Sequence, residues 1–368
     1  MAPTLNRRNF LQLSGLTLST TAVAALVSGC ARGAPPAPGA SGASGGGKNL
    51  TINSFGGTFQ DAIVKVVVDG FQSKYGVTVS VSTALSTAAL SQLKAAPKGR
   101  PPLDVAYMDL APIYQAKSAG LLQPFDRSKI PSLSDLYPVA VDKDNYWVAE
   151  LVSMTGIAYN TEKVTEPPTS WQDLWDPKYK GMVAISDVSG TAGYQFLSMA
   201  AKLNGGSEKD IDAGFEAIKR LKPNIVSIYK APDEMSRLLS SGEASIGVWY
   251  GDRLSSLKRK GAPVAFATPK EGAIAVLSSM CIPKGTSQLD LAHNYIDFQL
   301  SAAVNREFIT TIAEGPTNSK VKLDEKFLKE NYVPYGTEAM GKLVSLDNEV
   351  IAQNLADWIT RWQSEIAN

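Results

Sequence analysis

The residues best suited to chemistry cluster in Gly247–Ser256, GVWYGDRLSS. There Trp249 and Tyr250 precede Gly251 and an adjacent opposite-charge pair, Asp252 and Arg253. Aromatic faces hold methylene chains and attract cations. Asp252 can neutralise an amine, and the Arg253 guanidinium can clamp an anion through two parallel hydrogen bonds. The alternative is an ordinary surface ion pair, so these residues leave the charge of any ligand open.

Covalent chemistry is poorly supplied. The chain of 368 residues has one histidine, His293, in the helical pattern LDLAHNYIDFQL, where it reads as a helix-surface residue. One histidine excludes a zinc site built on several, and no serine motif of the G-x-S-x-G type stands in the region around it. Walker and dinucleotide glycine signatures are missing from the sequence. An enzyme is not expected, nor a cofactor or a metal; an exported hydrolase would need a nucleophile–base pair or two facing carboxylates. The 36 basic and 35 acidic residues nearly cancel, which gives no sign of a nucleic-acid partner.

The elements that must carry these residues begin after a long leader. NRRNFLQLSG, an apolar run and SGC form an export signal over residues 1–29. Arg7 and Arg8 ahead of Phe10 and Leu11 resemble a twin-arginine motif, with a general secretory signal as the alternative. Val27–Cys30 resembles a lipobox, which makes Cys30 the expected site of lipidation. Residues 30–48 are rich in Gly, Ala, Ser and Pro and read as a flexible tether. Cys281 is then the only other thiol, a small buried apolar residue.

The body starts with strand–helix alternation. NLTINSF predicts a strand, broken by Gly56 and Gly57; a helix follows, with Thr58 as its expected N-cap. VTVSVST and LDVAYMD predict further strands of a largely parallel sheet covered on both faces. YWVAELVSMTGIAYN is an extended run long enough to pass from one lobe to another. Further helices and strands lead to two C-terminal helices, GTEAMGKLVSL and VIAQNLADWITRWQSEIA.

Several segments then match in order. SWQDLWDPKYKGMVAISD resembles the W-x-D-L-W-D-P-x-Y-K-G segment of bacterial extracellular solute-binding proteins of ABC importers, most closely the spermidine/putrescine-binding group. GIAYN, SSGEASIGVWYGD, EGAIAVLSSMCIPKGT and EGPTN (Glu314–Asn318) keep that order. The resemblance implies an α/β fold of the type II periplasmic-binding-protein kind, with two lobes and an interlobe ligand cleft. Residues 49–151 and 253–314 are expected in the first lobe, and 152–252 and 315–368 in the second. Val152–Ile157 and Tyr250–Ser255 are the expected crossings.

Ligands of such sheets lie beyond the carboxyl ends of the strands. That points to Ser54, Phe55, Gly57 and Thr58 after the first strand, and to Tyr107 and Asp109 after the third. It also points to Asp187, Thr191 and Tyr194 after MVAIS, and to Trp249, Tyr250, Asp252 and Arg253. Ser278 falls where the polyamine group resembles M-D-S, so one acid is missing there. At Asp187 that group resembles D-D-A-R-E, whereas small residues follow here, a departure that favours hydrogen-bond donors over acceptors. The implied function is capture of a small polar solute, a polyamine-like amine or a zwitterion, for delivery to an ABC permease and its ATPase. Carboxylates, phosphonates and ferric iron are alternative cargoes. A monomer tethered by lipid in the periplasm or at the cell surface is expected, and service to a chemoreceptor is a further role the sequence leaves open.

Overall fold

The computed structural model describes residues 49–367 apart from Lys98. The expected signal, tether and lipidation at Cys30 lie outside the described residues. β1 (Asn49–Ser54) leads into α1 (Gly57–Ala62), which continues through a π-helical stretch, Ile63–Val68, into α2 (Asp69–Tyr75). The N-cap is Gly56, not Thr58, and no side chain caps the helix. Gly56 and Gly57 have φ of 82° and 56°, so the turn needs glycine for its backbone alone.

β2 (Thr78–Thr83), α3 (Ser86–Ala95), β3 (Ala106–Asp109), α4 (Leu110–Ser118) and β4 (Leu122–Gln123) complete the first section. β5 (Trp147–Asn160) has 14 residues, every one buried. Beyond it come β6 (Val183–Ser186), α5 (Thr191–Leu203), α6 (Asp212–Leu221), β7 (Ile225–Tyr229) and α7 (Pro232–Ser241). β8 (Ile246–Tyr250), α8 (Gly251–Arg259), β9 (Val264–Ala267) and β10 (Ile274–Pro283) follow. The chain closes with α9 (Leu289–Leu300), α10 (Ala302–Ile312), β11 (Gly315–Pro316), α11 (Glu325–Glu330), α12 (Gly336–Gly341) and α13 (Asn348–Glu365).

The sheet is mixed rather than largely parallel. β1 pairs parallel with β2, and β6 parallel with both β7 and β8. The long strands are antiparallel to their neighbours: β10 to β3 and β5, and β5 to β8 and β9. Thr155 marks the changeover on β5, since it pairs with Ile274 on one side and Tyr250 on the other. Its hydroxyl donates to Gln195 Oε1 at 2.6 Å, and Gln195 Nε2 donates to the Ala275 carbonyl at 3.1 Å, which pins α5 to both strands.

Apolar side chains gather in three clusters. The first holds Leu50, Phe71, Tyr107, Val152, Leu277 and Phe308; the second holds Ile157, Trp171, Phe196, Phe215 and Trp362. The third lies on the opposite face of β5, β6 and β8, around Ala158, Ala184 and Trp249. β5 leaves the first cluster at Val152 and enters the second at Ile157; β10 makes the reverse passage between Ile274 and Leu277. The segment 253–267 departs from the expected division, because Leu254, Leu257 and Val264 pack with Trp249 and Ala184. Tyr250–Ser255 accordingly forms the turn from β8 into α8 rather than a passage between cores.

His293 is a second departure. It is 2% exposed, and its Nε2 accepts the Asp126 N–H at 2.9 Å. Nδ1 therefore carries the proton and donates to the Leu289 carbonyl at 2.8 Å, while burial pushes the imidazole below its ordinary pKa. Cys281 is fully buried and its thiol is raised by desolvation, in keeping with a small core residue.

α5 sits unusually close to the loop before it. A Cβ on Gly193 would fall 1.9 Å from the Asp187 carbonyl oxygen. Gly193→Ala is expected to destabilise the fold by about 1–3 kcal/mol through overpacking, read as a lower urea midpoint; an unchanged midpoint would refute this close approach.

Candidate functional site

The carboxyl ends of β1, β3 and β8 open onto one cavity of about 430 Å³, a volume suited to a small solute. Two cross-strand pairs belong to its lining: Ser278 of β10 opposite Leu151 of β5, and Val276 opposite Ser153. Phe55 and Phe59 contribute from the β1–α1 turn, with ring centroids 4.9 Å apart. Leu85, Ser86 and Thr87 enter from the start of α3, and Thr191 from the start of α5. Tyr250 ends β8, Asp252 and Arg253 begin α8, and Glu314 follows α10.

Half of the expected ligand-binding residues meet here: Phe55, Asp109, Thr191, Tyr250, Asp252, Arg253 and Ser278. Tyr194 lies alongside, in a small pocket shared with Asp109 and Thr191. The others are placed elsewhere. Ser54 is buried, and Gly57 and Thr58 are exposed away from the lining. Tyr107 is a core residue whose hydroxyl meets Tyr295 at 3.0 Å and donates to Gln299. The Asp187 carboxylate folds onto its own loop, accepting from the Ser189 N–H at 3.0 Å and the Ser189 hydroxyl at 2.5 Å.

Trp249 fails for a geometric reason. Successive strand residues point to opposite faces, so when Tyr250 faces the cavity Trp249 turns into the third core, where it is 2% exposed. Tyr250 also closes the helix start that seemed ready for an anion, because its hydroxyl accepts the Ala192 N–H at 2.9 Å.

The carboxyl groups carry most of the site's electrostatics. Asp109 receives the Ser86 hydroxyl at 3.2 Å and donates its own N–H to Ser86 Oγ at 3.1 Å. Burial raises its pKa, and the serine bond opposes the rise. Asp252 accepts the Ser153 hydroxyl at 3.3 Å, and Arg253 Nε stands 3.6 Å from its other oxygen. The Arg253 side chain is 56% exposed, so its attraction for Asp252 is strongly screened.

Two glutamates were not among the expected site residues. Glu314 lines the cavity yet is only 8% exposed, and Oε2 has no hydrogen-bond partner among the described residues. Desolvation first, and then the nearby Asp252 charge, push its carboxyl well above the ordinary range. The motif EGPTN contained the residue; its signal was an acid directly after a helix and before a buried Gly-Pro step. Ala313 ends that helix in the left-handed conformation at φ 63°, and this turn brings Glu314 to the cavity.

Glu150 stands behind Ser278. The register between β5 and β10 slips here, from Ser278 opposite Leu151 to Ser279 opposite Ala149, which leaves Glu150 as the extra residue of a bulge. Asn305 Nδ2 donates to its carbonyl at 2.8 Å, and the Ser278 hydroxyl donates to its carboxyl oxygen Oε1. With its hydrogen committed to Glu150, Ser278 offers lone pairs to the cavity. A run of apolar strand residues gives no sequence sign of such a bulge.

A cavity at the strand ends of a mixed α/β sheet fits a solute receptor of the type II periplasmic-binding-protein fold. Residues 67–333 match the family model for bacterial extracellular solute-binding proteins, and the chain belongs to that family as a solute-binding protein of ABC importers. It is similar to the spermidine/putrescine-binding periplasmic protein of Escherichia coli K12, at 28% identity over 68% of this chain and 74% of that one. The crystal structure of an ABC transporter protein from Clostridium perfringens ATCC 13124 aligns with a TM-score of 0.79 and 25% identity, over 86% of this chain and 99% of that one. The substrate-binding protein PotD from Streptococcus pneumoniae shares the fold at 22% identity and a TM-score of 0.71, over 86% and 99% of the two chains. The Escherichia coli relative is a periplasmic protein, and the two solved relatives are ABC transporter proteins.

Burial drives Glu150 from the ordinary 4.5 up to about 8. The folded state therefore holds a proton that the unfolded state releases above about pH 4.5. This contribution to stability is complete below about pH 4.5 and is lost as pH rises toward about 8, by at most about 5 kcal/mol. Thermal melts should show wild type losing stability over this range relative to Glu150→Gln; parallel curves would contradict a neutral, buried Glu150.

Proposed function

We propose that this chain is a lipid-tethered receptor that captures a small cationic amine of the polyamine kind and delivers it to an ABC permease with its ATPase. The observation that carries the ligand class is the balance of charge around the cavity. Asp109, Asp252 and Glu314 line it against a single guanidinium, that of Arg253. An ammonium placed among these carboxylates makes charge-assisted hydrogen bonds, each worth about 1.5–3 kcal/mol. Phe55, Phe59 and Tyr250 provide surfaces for the methylenes between amine groups.

The anion-binding reading loses its best donor, because the Ala192 N–H is already taken by Tyr250. A zwitterion keeps one supporting feature: Arg253 reaches the lining from the first turn of α8. Binding is non-covalent in either case. The lobes joined by β5 and β10 close over the solute, and the permease recognises the closed form. Export as a lipoprotein rests on the basic, apolar and Cys30-containing leader.

Calorimetry of the full chain with putrescine separates the two ligand classes. Asp252→Asn should weaken binding about 10-fold or more, whereas Arg253→Ala should leave it unchanged or tighten it by removing a competing cation. Weaker putrescine binding in Arg253→Ala together with unchanged binding in Asp252→Asn would overturn the amine reading. For the anchor, Cys30→Ser should shift the exported chain from the membrane to the soluble fraction; retention at the membrane would contradict lipidation at that residue.

A further inference from the structure

Glu314 and Asp252 come from different elements, the turn after α10 and the first turn of α8, yet they line the same cavity. Ser153, Asp252 and Glu314 all line this cavity, the Ser153 hydroxyl donates to Asp252, and both side chains act on the Glu314 carboxyl. A single hydroxyl hydrogen cannot serve two carboxylates at once. Glu314 Oε2, 92% of whose residue is shielded from solvent on the basis of its 8% exposure, has no partner among the described residues. Two adjacent carboxylates in such a place repel each other unless a cation or a proton lies between them.

We propose that Glu314 and Asp252 form one ammonium subsite that shares a proton when the cavity is empty and exchanges it for the ammonium group of the ligand. The proposal rests on the amine reading above. The exchange balances: the ammonium enters with its positive charge, one proton leaves the carboxyl pair for bulk buffer, and no covalent bond to carbon changes. Other charged groups set its context. Asp109 stands on β3, Glu150 lies behind Ser278 on β5, and Arg253 neighbours Asp252 on α8. Among the described lining residues Arg253 is the sole cation. It is half exposed and stands 3.6 Å from Asp252, and its charge opposes the rise in Glu314 less than desolvation and Asp252 favour it. Desolvation and the Asp252 charge both favour the protonated form of Glu314. Ligand affinity should consequently rise with pH as the pair gives up its proton more easily.

Two measurements on the full chain test this. Infrared difference spectra of the unliganded protein near neutral pH should contain the carbonyl stretch of a protonated acid, one component of which disappears in Glu314→Gln. Glu314→Met supplies the same comparison should the glutamine variant fail to fold, since an apolar side chain of similar length suits a site that holds a neutral acid. Putrescine titrations in phosphate and in Tris should differ in heat by the release of about one proton per ligand in wild type, and by almost none in the variant. Putrescine binding with heat independent of the buffer overturns the exchange and leaves the amine reading standing. A wild-type spectrum with no acid component assignable to Glu314 overturns the shared proton. Absence of putrescine binding, with that acid component present, overturns the amine reading and the exchange with it.

Discussion

Fourteen consecutive buried residues in β5 must satisfy their backbone groups inside the protein, and this constraint organises the molecule. The strand meets it by changing partners along its length: β10 accompanies its first part, and β8 and β9 its last. All three apolar clusters are thereby joined to one strand. The cavity lies along the same strand, with Leu151 and Ser153 in its lining. In the closure proposed above, backbone angles change where β5 and β10 pass between cores, which would leave each core intact.

The second organising fact is electrostatic. Carboxyl groups are brought together in a partly enclosed place, and each has a different remedy. Asp109 takes a serine hydroxyl, Asp252 a serine and a half-exposed arginine, and Glu150 a serine from a bulged register. Glu150 and Glu314 each keep one oxygen without a partner among the described residues, and of the two only Glu314 lines the cavity. Buried polar groups are normally paired, so an unpaired carboxyl oxygen beside an open volume is a place kept for something else. The amine proposed above would occupy that place.

The elements were largely legible in the sequence because their hydrophobic periods are clear. β5 could be read as one long run, and the helix after β1 as an amphipathic segment bounded by Gly76. The antiparallel course of the long strands was not legible, because an apolar run looks the same in either direction. At the site, the sequence located the strand ends but not the facing of each side chain. Tyr250 reaches the cavity while its neighbour Trp249 enters a core, a difference of one residue in a two-residue period. Asp187 was drawn away by Ser189, two positions on, through a local turn that competes with any ligand. Glu150 and Glu314 escaped notice because a bulge and a left-handed residue brought them into place, and neither announces itself in composition.

The proposed selection of positive charge by the cavity can be read from a thermal-shift series on the full chain with solutes of equal length and different charge: putrescine, 4-aminobutyrate and succinate. A ligand at about 100 times its dissociation constant adds roughly 2.7 kcal/mol to stability, which should raise the melting temperature by at least a few degrees. Putrescine should give the largest shift, 4-aminobutyrate a smaller one and succinate none. A shift with succinate and none with putrescine would contradict that selection.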